Sequence, residues 1–345
     1  MTKKHIIISD PSLRDGNHAV AHQLSQKQIA EYCKRADKAK IPIVEVGHGN
    51  GLGASSMQLG EAPISDKVTL ITARESLKYS KLGIHVIPGF ATIEKDIKGA
   101  IDYGVDVFRI ASHCSEADVT KNHIEFLRKA DKEVYGVLMM SHMISIEQLV
   151  QEAQKMESYG AQGLVFMDSA GHYLPTDVKQ RVEALIDSIS IPVGFHGHNN
   201  LGMGVANSLA AVGSGALLLD GTICGFGPGA GNTQLEVLVA VLTMEGYDTG
   251  IDLYKLLDAA IWAEKELIEE IPVIRPISIV SGMAGVFSAF LKPVKRIAEK
   301  YDVDPRDVFF ELGRRKLIAG QEDLILEVVI ELANAKQKEL KAGSI

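Results

Sequence analysis

The stretch PVGFHGHNN, from Pro192 to Asn200, reads as a short strand that ends in two histidines, His196 and His198. Side chains alternate across a strand, so residues two apart point the same way and their imidazoles can take neighbouring positions on one cation. Seven further short, apolar, β-branched runs share this character: His5–Ser9, Ile43–Gly47, Ile84–Ile87, Val107–Ala111, Val134–Met140, Gly163–Met167 and Leu217–Asp220. Helical patterns intervene, among them Ser25–Ala39, Ile93–Tyr103, Ile146–Tyr159, Thr176–Ile189 and Thr233–Glu245. Ser25 and Ser145 stand at cap positions, while Gly104 and Gly160 follow helix ends. Eight strand–helix units in about 250 residues predict an α/β fold, a (β/α)8 TIM barrel. An open doubly wound sheet usually stops at five or six strands.

Placement turns this pattern into a site. SLRDGNH (Ser12–His18) follows strand 1, GHGNG strand 2, SHCSEAD strand 4, DSAGH strand 6, HGHNN strand 7 and GFGPGAGN strand 8. Polar and ionisable residues therefore gather at strand C-terminal ends, where barrels carry their chemistry. In a closed ring only one strand separates strands 1 and 7, so Asp15 is expected to meet the histidine pair across the mouth. From Asp252 the pattern is helical throughout: Asp252–Glu270, Gly282–Tyr301, Asp304–Ile318 and Glu322–Lys341, with Glu270–Ile279 as a connector around Pro272 and Pro276. The expected organisation is a barrel at 1–250 and a helical domain at 251–345.

Composition narrows the class. Of 345 residues, 46% are hydrophobic and 23% charged, as in ordinary globular chains. A net charge of −8 with no basic block argues against nucleic acid or an anionic membrane as the main partner. No apolar run is long enough to span a bilayer. The start, MTKKHIIISDPSLRDG, is too short in its apolar part for a signal peptide. Cys33, Cys114 and Cys224 are odd in number and far apart, so cytoplasmic localisation is expected.

Asp15, His196 and His198 form a two-histidine, one-carboxylate set with open coordination positions. Such a site suits Mn²⁺, Mg²⁺, Co²⁺ or Fe²⁺ and a substrate that chelates through oxygens, as a 2-oxo acid does. Arg14, the neighbour of Asp15, supplies a fixed positive charge for a developing oxyanion, or else a plain salt bridge. His18 is the candidate general base, its alternative being a packed loop histidine. His113, His142 and His172 either line the mouth or bond loop carbonyls. GFGPGAGN offers a phosphate cradle or merely a tight turn. Cys114 is expected to be inert.

With these motifs on the page, the chain resembles the 4-hydroxy-2-oxovalerate aldolases, a branch of the aldolase and acyl-CoA lyase barrels. The likeness rests on SLRDGNHAV, VEVGHGNGLGASS, ASHCSEADV, GVLMMSHM, MESYGA, DSAG, HGHNNLGMGVANS and GPGAGNTQLEV. It continues into the tail through AGVFSAFL and ELGRRKLIAGQEDLI, and so covers essentially the whole chain. The resemblance implies retro-aldol cleavage to pyruvate and an aldehyde, with Asp15, His196 and His198 holding Mn²⁺, or Mg²⁺ or Co²⁺. It implies that Arg14 steadies the pyruvate enolate and His18 takes the proton from the C4 hydroxyl. No organic cofactor is implied. An acylating aldehyde dehydrogenase docked on the helical tail is the implied partner, and an oligomer is expected. Candidate substrate-binding residues are Arg14, Ser169, His196, His85 and Phe287. Two of these depart from the family pattern. Phe287 replaces a tyrosine, removing a hydrogen bond worth roughly 0.5–1.5 kcal/mol; His85 replaces a leucine on strand 3, which favours a more polar aldehyde. The runner-up readings are an acyl-CoA-dependent lyase or Claisen-type synthase, and a non-catalytic subunit.

Overall fold

A computed structural model describes residues 4–318 and 320–342. Position 319 and the last three residues of the expected 251–345 domain lie outside the described residues. The strands β1 (Ile7–Leu13), β2 (Ile43–Val46), β3 (Lys81–Val86), β4 (Val107–His113), β5 (Glu133–Met139), β6 (Gly163–Asp168), β7 (Val193–Gly197) and β8 (Leu218–Asp220) close into one parallel barrel in sequence order. Closure is made by β1 on β8, with Ile7 opposite Leu218 and Ser9 opposite Asp220. The sequence places strand 1 at His5–Ser9, ahead of Asp10-Pro11. The strand instead runs on to Leu13, with a register irregularity against β2 between Asp10 and Leu13.

Helices α1 (Gln26–Lys38), α2 (Asp66–Ser76), α3 (Lys98–Asp102, preceded by a π turn at Ile93–Ile97), α4 (Lys121–Lys129), α5 (Ile146–Ser158), α6 (Pro175–Ser188), α7 (Gly204–Gly213) and α8 (Leu235–Met244) wrap the barrel. Ser25 caps α1 through a reciprocal box with Gln28, and Ser145 caps α5 through the Gln148 amide. The outward faces of the strands and inward faces of the helices share one large apolar cluster. A smaller cluster fills the barrel itself, with Ile43, Val107, Val137, Val165 and Leu218 among its members. Two residues along from these apolar side chains, strand alternation points Glu45, Arg109 and Asp220 into the same interior.

Helix α9 (Leu253–Glu266) departs from the expected tail. Its buried residues Leu256, Ala259, Ala260 and Ala263 belong to the barrel's outer cluster, packed on α1 and α8. The tail proper comprises α10 (Pro276–Ala284), α11 (Leu291–Lys300), α12 (Pro305–Arg314) and α13 (Asp323–Ala342), around a separate core that includes Phe290, Val294, Phe309 and Ile325. Pro276 starts α10 rather than prolonging a connector, since proline fits the first helical turn. The expected continuous helix Gly282–Tyr301 is broken. Gly285 takes φ +66°, a left-handed C-cap, and the chain resumes only through a 3-10 turn at Ser288–Phe290.

Candidate metal centre and active site

Strand β1 ends by bending into a 3-10 turn, Asp15–His18, which throws Asp15 across the mouth toward β7. Asp15 Oδ2 lies 4.0 Å from His196 Nε2 and 3.8 Å from His198 Nε2, and all three residues are buried. Among the described residues this is the one group of three or more His, Cys, Asp or Glu side chains whose ligand atoms converge closely enough to hold a metal ion. Spacings near 4 Å suit neighbouring ligands on one cation better than hydrogen bonds to each other.

Asp15 and His196 are held from behind, whereas His198 Nδ1 is buried with no hydrogen-bond partner. His196 Nδ1 sits 2.9 Å from Asp220 Oδ2, which assigns the ring proton to Nδ1 and leaves Nε2 buried with no protein partner. Asp15 Oδ2 also accepts from Asn232 Nδ2 at 2.7 Å, and Oδ1 accepts from Arg14 Nη1 at 2.6 Å. Burial alone would raise the Asp15 carboxyl, but Arg14 and the surrounding imidazoles outweigh it and hold it well below the usual carboxylate range. Burial pulls His198 down to about 3 against the opposing pull of Asp15, so its imidazole is neutral, as a ligand must be.

Arg14 donates through Nε to Glu45 Oε1 at 2.5 Å, while its Nη2 has no protein partner. Burial pushes Glu45 up, yet Arg14 and Arg109 outweigh it and hold the carboxyl at about 2. Arg14 therefore carries a charge and a spare donor at the mouth, rather than a surface salt bridge. His18 stands half-buried, its ring edge-on to His22, which stacks on His48 at 3.6 Å between centroids. A Cβ at Gly49 would come within 2.6 Å of the His18 ring, so the glycine is what lets β2's loop approach this imidazole. Burial, only partly opposed by Asp15, lowers His18 to about 4. A neutral imidazole there is free to accept a proton.

The remaining candidates fall on the mouth in different ways. His85 points into the barrel beside Arg14, Glu45 and Arg109; it is buried, burial drives it well below the ordinary imidazole range, and Nδ1 has no partner. Its side chain is thus polar and uncharged. Ser169 Oγ accepts from the Met140 amide at 3.0 Å, and its carbonyl accepts from both the amide and the hydroxyl of Ser288. Phe287, just before Ser288, is half-buried and packs edge-on to Phe290 at 5.8 Å, joined to the tail's core. His142 and His172 bond carbonyls of the tail, at Gly285 and Gly282. The glycine loop after β8 makes a tight turn: the amides of Gly225, Phe226, Ala230, Gly231 and Asn232 are bonded inside the protein, so five amides of the loop serve the turn. Its product is Asn232 set against Asp15. Burial pushes the Cys114 thiol up to about 12, consistent with an inert group.

Glu45, Arg109, Asp220 and Asn232 were not singled out from the sequence. The available signal was a lone charge inside an apolar strand run, as in IVEV, VFRIA and LLLD. A strand buried on both faces has no solvent for such a charge, so it must meet partners inside the barrel.

Fold and mouth together define a class, the HMGL-like barrels, whose family model matches residues 5–262; residues 272–334 match the DmpG-like communication domain. The chain belongs to the 4-hydroxy-2-oxovalerate aldolase family. It is 59% identical over 340 residues to the 4-hydroxy-2-oxovalerate aldolase of Pectobacterium atrosepticum, covering 99% of both chains. It is 62% identical over 327 residues to that of Spirochaeta aurantia, covering 95% of this chain and 96% of the other. Among solved structures, the carboxyl transferase domain of Rhizobium etli pyruvate carboxylase, determined with pyruvate, matches with a TM-score of 0.81 at 15% identity, over 97% of this chain and 62% of that one, a likeness of fold alone. Whole-length relatives bearing the aldolase name do not favour the acyl-CoA lyase, synthase or non-catalytic readings. No helix among the described residues is long and apolar enough to cross a membrane.

Proposed function

We propose that the chain is a divalent-metal-dependent aldolase, a carbon–carbon lyase that cleaves 4-hydroxy-2-oxovalerate or a close analogue to pyruvate and an aldehyde. The observation that carries this reading is the converging set of Asp15, His196 and His198, with His196 Nε2 buried and unpartnered. These residues would hold Mn²⁺, with Mg²⁺ or Co²⁺ as substitutes and no organic cofactor. A divalent ion there supplies Lewis acidity toward the oxygens of a 2-oxo acid.

His18, neutral at pH 7, takes the C4 hydroxyl proton as the C3–C4 bond breaks and C4 becomes the aldehyde carbon. Arg14, through its unpartnered Nη2, stabilises the charge that the breaking bond delivers to the C2 oxygen. The proton taken up by His18 balances the one that C3 of the pyruvate enolate must gain, so the imidazole ends neutral and ready for the next turnover. His85, Ser169 and Phe287 border the substrate with Arg14 and His196; with Phe287 no tyrosine hydroxyl reaches His18 from this position.

We divide the chain in the connector after Ile268, later than 250/251, because α9 shares the barrel's cluster. The connector and α10 expose Ile271, Val273, Ile274, Ile279 and Met283, an apolar surface suited to an acylating aldehyde dehydrogenase that would consume the aldehyde. A cytoplasmic oligomer completes the reading.

The test is pyruvate release from 4-hydroxy-2-oxovalerate with Mn²⁺, followed by coupled NADH oxidation, with and without chelator. Chelator-sensitive release is expected. Asp15→Asn should lose both Mn²⁺ binding and activity while circular dichroism stays unchanged. Full activity of that variant in metal-free buffer sinks the assignment.

A further inference from the structure

Deep in the barrel, Arg109 on β4 connects residues that the proposed chemistry uses separately. It is 1% exposed. Its Nη2 donates to Asp220 Oδ2 at 2.7 Å, and the same oxygen meets His196 Nδ1 at 2.9 Å. Its Nη1 lies 3.2 Å from Glu45 Oε2 and donates to Ser9 Oγ at 3.3 Å. Glu45, in turn, takes Arg14 Nε at 2.5 Å through its other oxygen. One guanidinium thus spans two fully buried carboxylates, each of which orients a different functional side chain. The order runs Arg14, Glu45, Arg109, Asp220, His196, the Glu45–Arg109 link being an ion pair and the other three hydrogen bonds.

We propose that Arg109 is a positioning residue that couples the candidate metal ligand His196 to the candidate oxyanion donor Arg14. The inference rests on the aldolase reading given above. Four physical points support it. Without a cation between them, Glu45 and Asp220 would be like charges in a dry interior, and their side chains would be driven apart. An Asp220 that moves frees His196 to take its other tautomer, which puts a proton on the nitrogen that must face the metal. A Glu45 that moves frees Arg14 Nε and leaves the Arg14 side chain tethered to Asp15 alone among the carboxylates. Only a planar, forked cation spans both carboxylates at once; an ammonium is a single point.

Arg109→Lys is the decisive variant, read by Mn²⁺ titration calorimetry and by kcat at saturating Mn²⁺. The wild type must bind Mn²⁺ and release pyruvate; if it does neither, the aldolase reading falls and this inference with it. Given an active wild type, the coupling predicts both Mn²⁺ affinity and kcat lower by about tenfold or more, the range seen when partners behind a ligand are lost. A merely structural arginine would lower the melting temperature and leave both numbers of the folded protein within twofold, which overturns the proposal. A change in one readout alone also overturns it, since the link requires both. Should Arg109→Lys fail to fold, a double-mutant cycle of Glu45→Gln and Asp220→Asn decides. Shared dependence on Arg109 makes their effects non-additive, whereas additive effects refute it.

Discussion

Burial keeps the imidazoles around the mouth neutral, and that has a sign. His18 and His142 are lowered to about 4, His22 and His198 to about 3, in each case chiefly by desolvation. Unfolded, each titrates near about 6.5. Between those limits the unfolded chain binds more protons than the native one, so stability rises with pH through the window and is lost as pH falls from 6.5 toward 4. Asp10 and Asp168, raised to about 6 by burial, act in the opposite direction with Asp66 and Glu236, but the lowered imidazoles, which also include His48, His85 and His113, outnumber them. Melting temperatures of chelator-treated protein should therefore drop steadily from pH 6.5 to pH 4.5; a flat profile contradicts the neutral rings. His85 supports a second expectation at this scale. Replacing its unpartnered, uncharged ring by leucine should shift kcat/KM roughly tenfold toward a substrate releasing propanal over one releasing glycolaldehyde. An unchanged ratio removes His85 from the aldehyde pocket. Arg14, Asp15 and His18 were legible in the sequence because they share one short polar loop, and the histidine pair because its two-residue spacing ends an apolar strand. Glu45, Arg109 and Asp220 were not, because each stands alone in an apolar strand and only closure of the barrel assembles them.

At the level of elements, strand–helix alternation was readable because the barrel's strands are buried on both faces and carry unbroken apolar runs. The ends of elements were harder to place. Pro11 hid the extension of β1 beyond Ser9, and the apolar pattern of 282–301 concealed the left-handed turn at Gly285. That turn has consequences, because it delivers Ser288 to the barrel. The Ser288 hydroxyl donates to the Ser169 carbonyl at 3.0 Å and accepts from Asn200 Nδ2 at 2.9 Å, and its amide bonds the same carbonyl at 3.1 Å. Ser288→Ala keeps the amide bond and leaves Asn200 Nδ2 on the Ala170 carbonyl, so two hydrogen bonds are lost without stranding either partner, at a cost of about 0.5–1.5 kcal/mol. Urea unfolding measures it; a loss below about 0.3 kcal/mol would mean that the hydroxyl does not hold the seam.

The whole molecule has two cores of very different size. The barrel's cluster runs from β1 to Ile268 around a closed sheet, whereas the tail's core is assembled from α10–α13 and the turn at Val286–Phe290. The seam between them is polar: His142 and His172 on tail carbonyls, Ser288 on Ser169, and Lys292 Nζ on the Ala19 carbonyl at 2.6 Å. A small core on a polar seam should open before the barrel does. Native-state hydrogen exchange is expected to show amides of α11–α13 exchanging through an opening of lower free energy than amides of β4 and β5. The seam touches Ser169 and the loop that bears His18, so loading the site should be felt in the tail. Saturation with Mn²⁺ and a non-cleavable 2-oxo acid should slow exchange at the mouth and also across 285–291. Protection gained at the mouth with none at 285–291 would mean that the tail covers the barrel without sensing what the barrel holds.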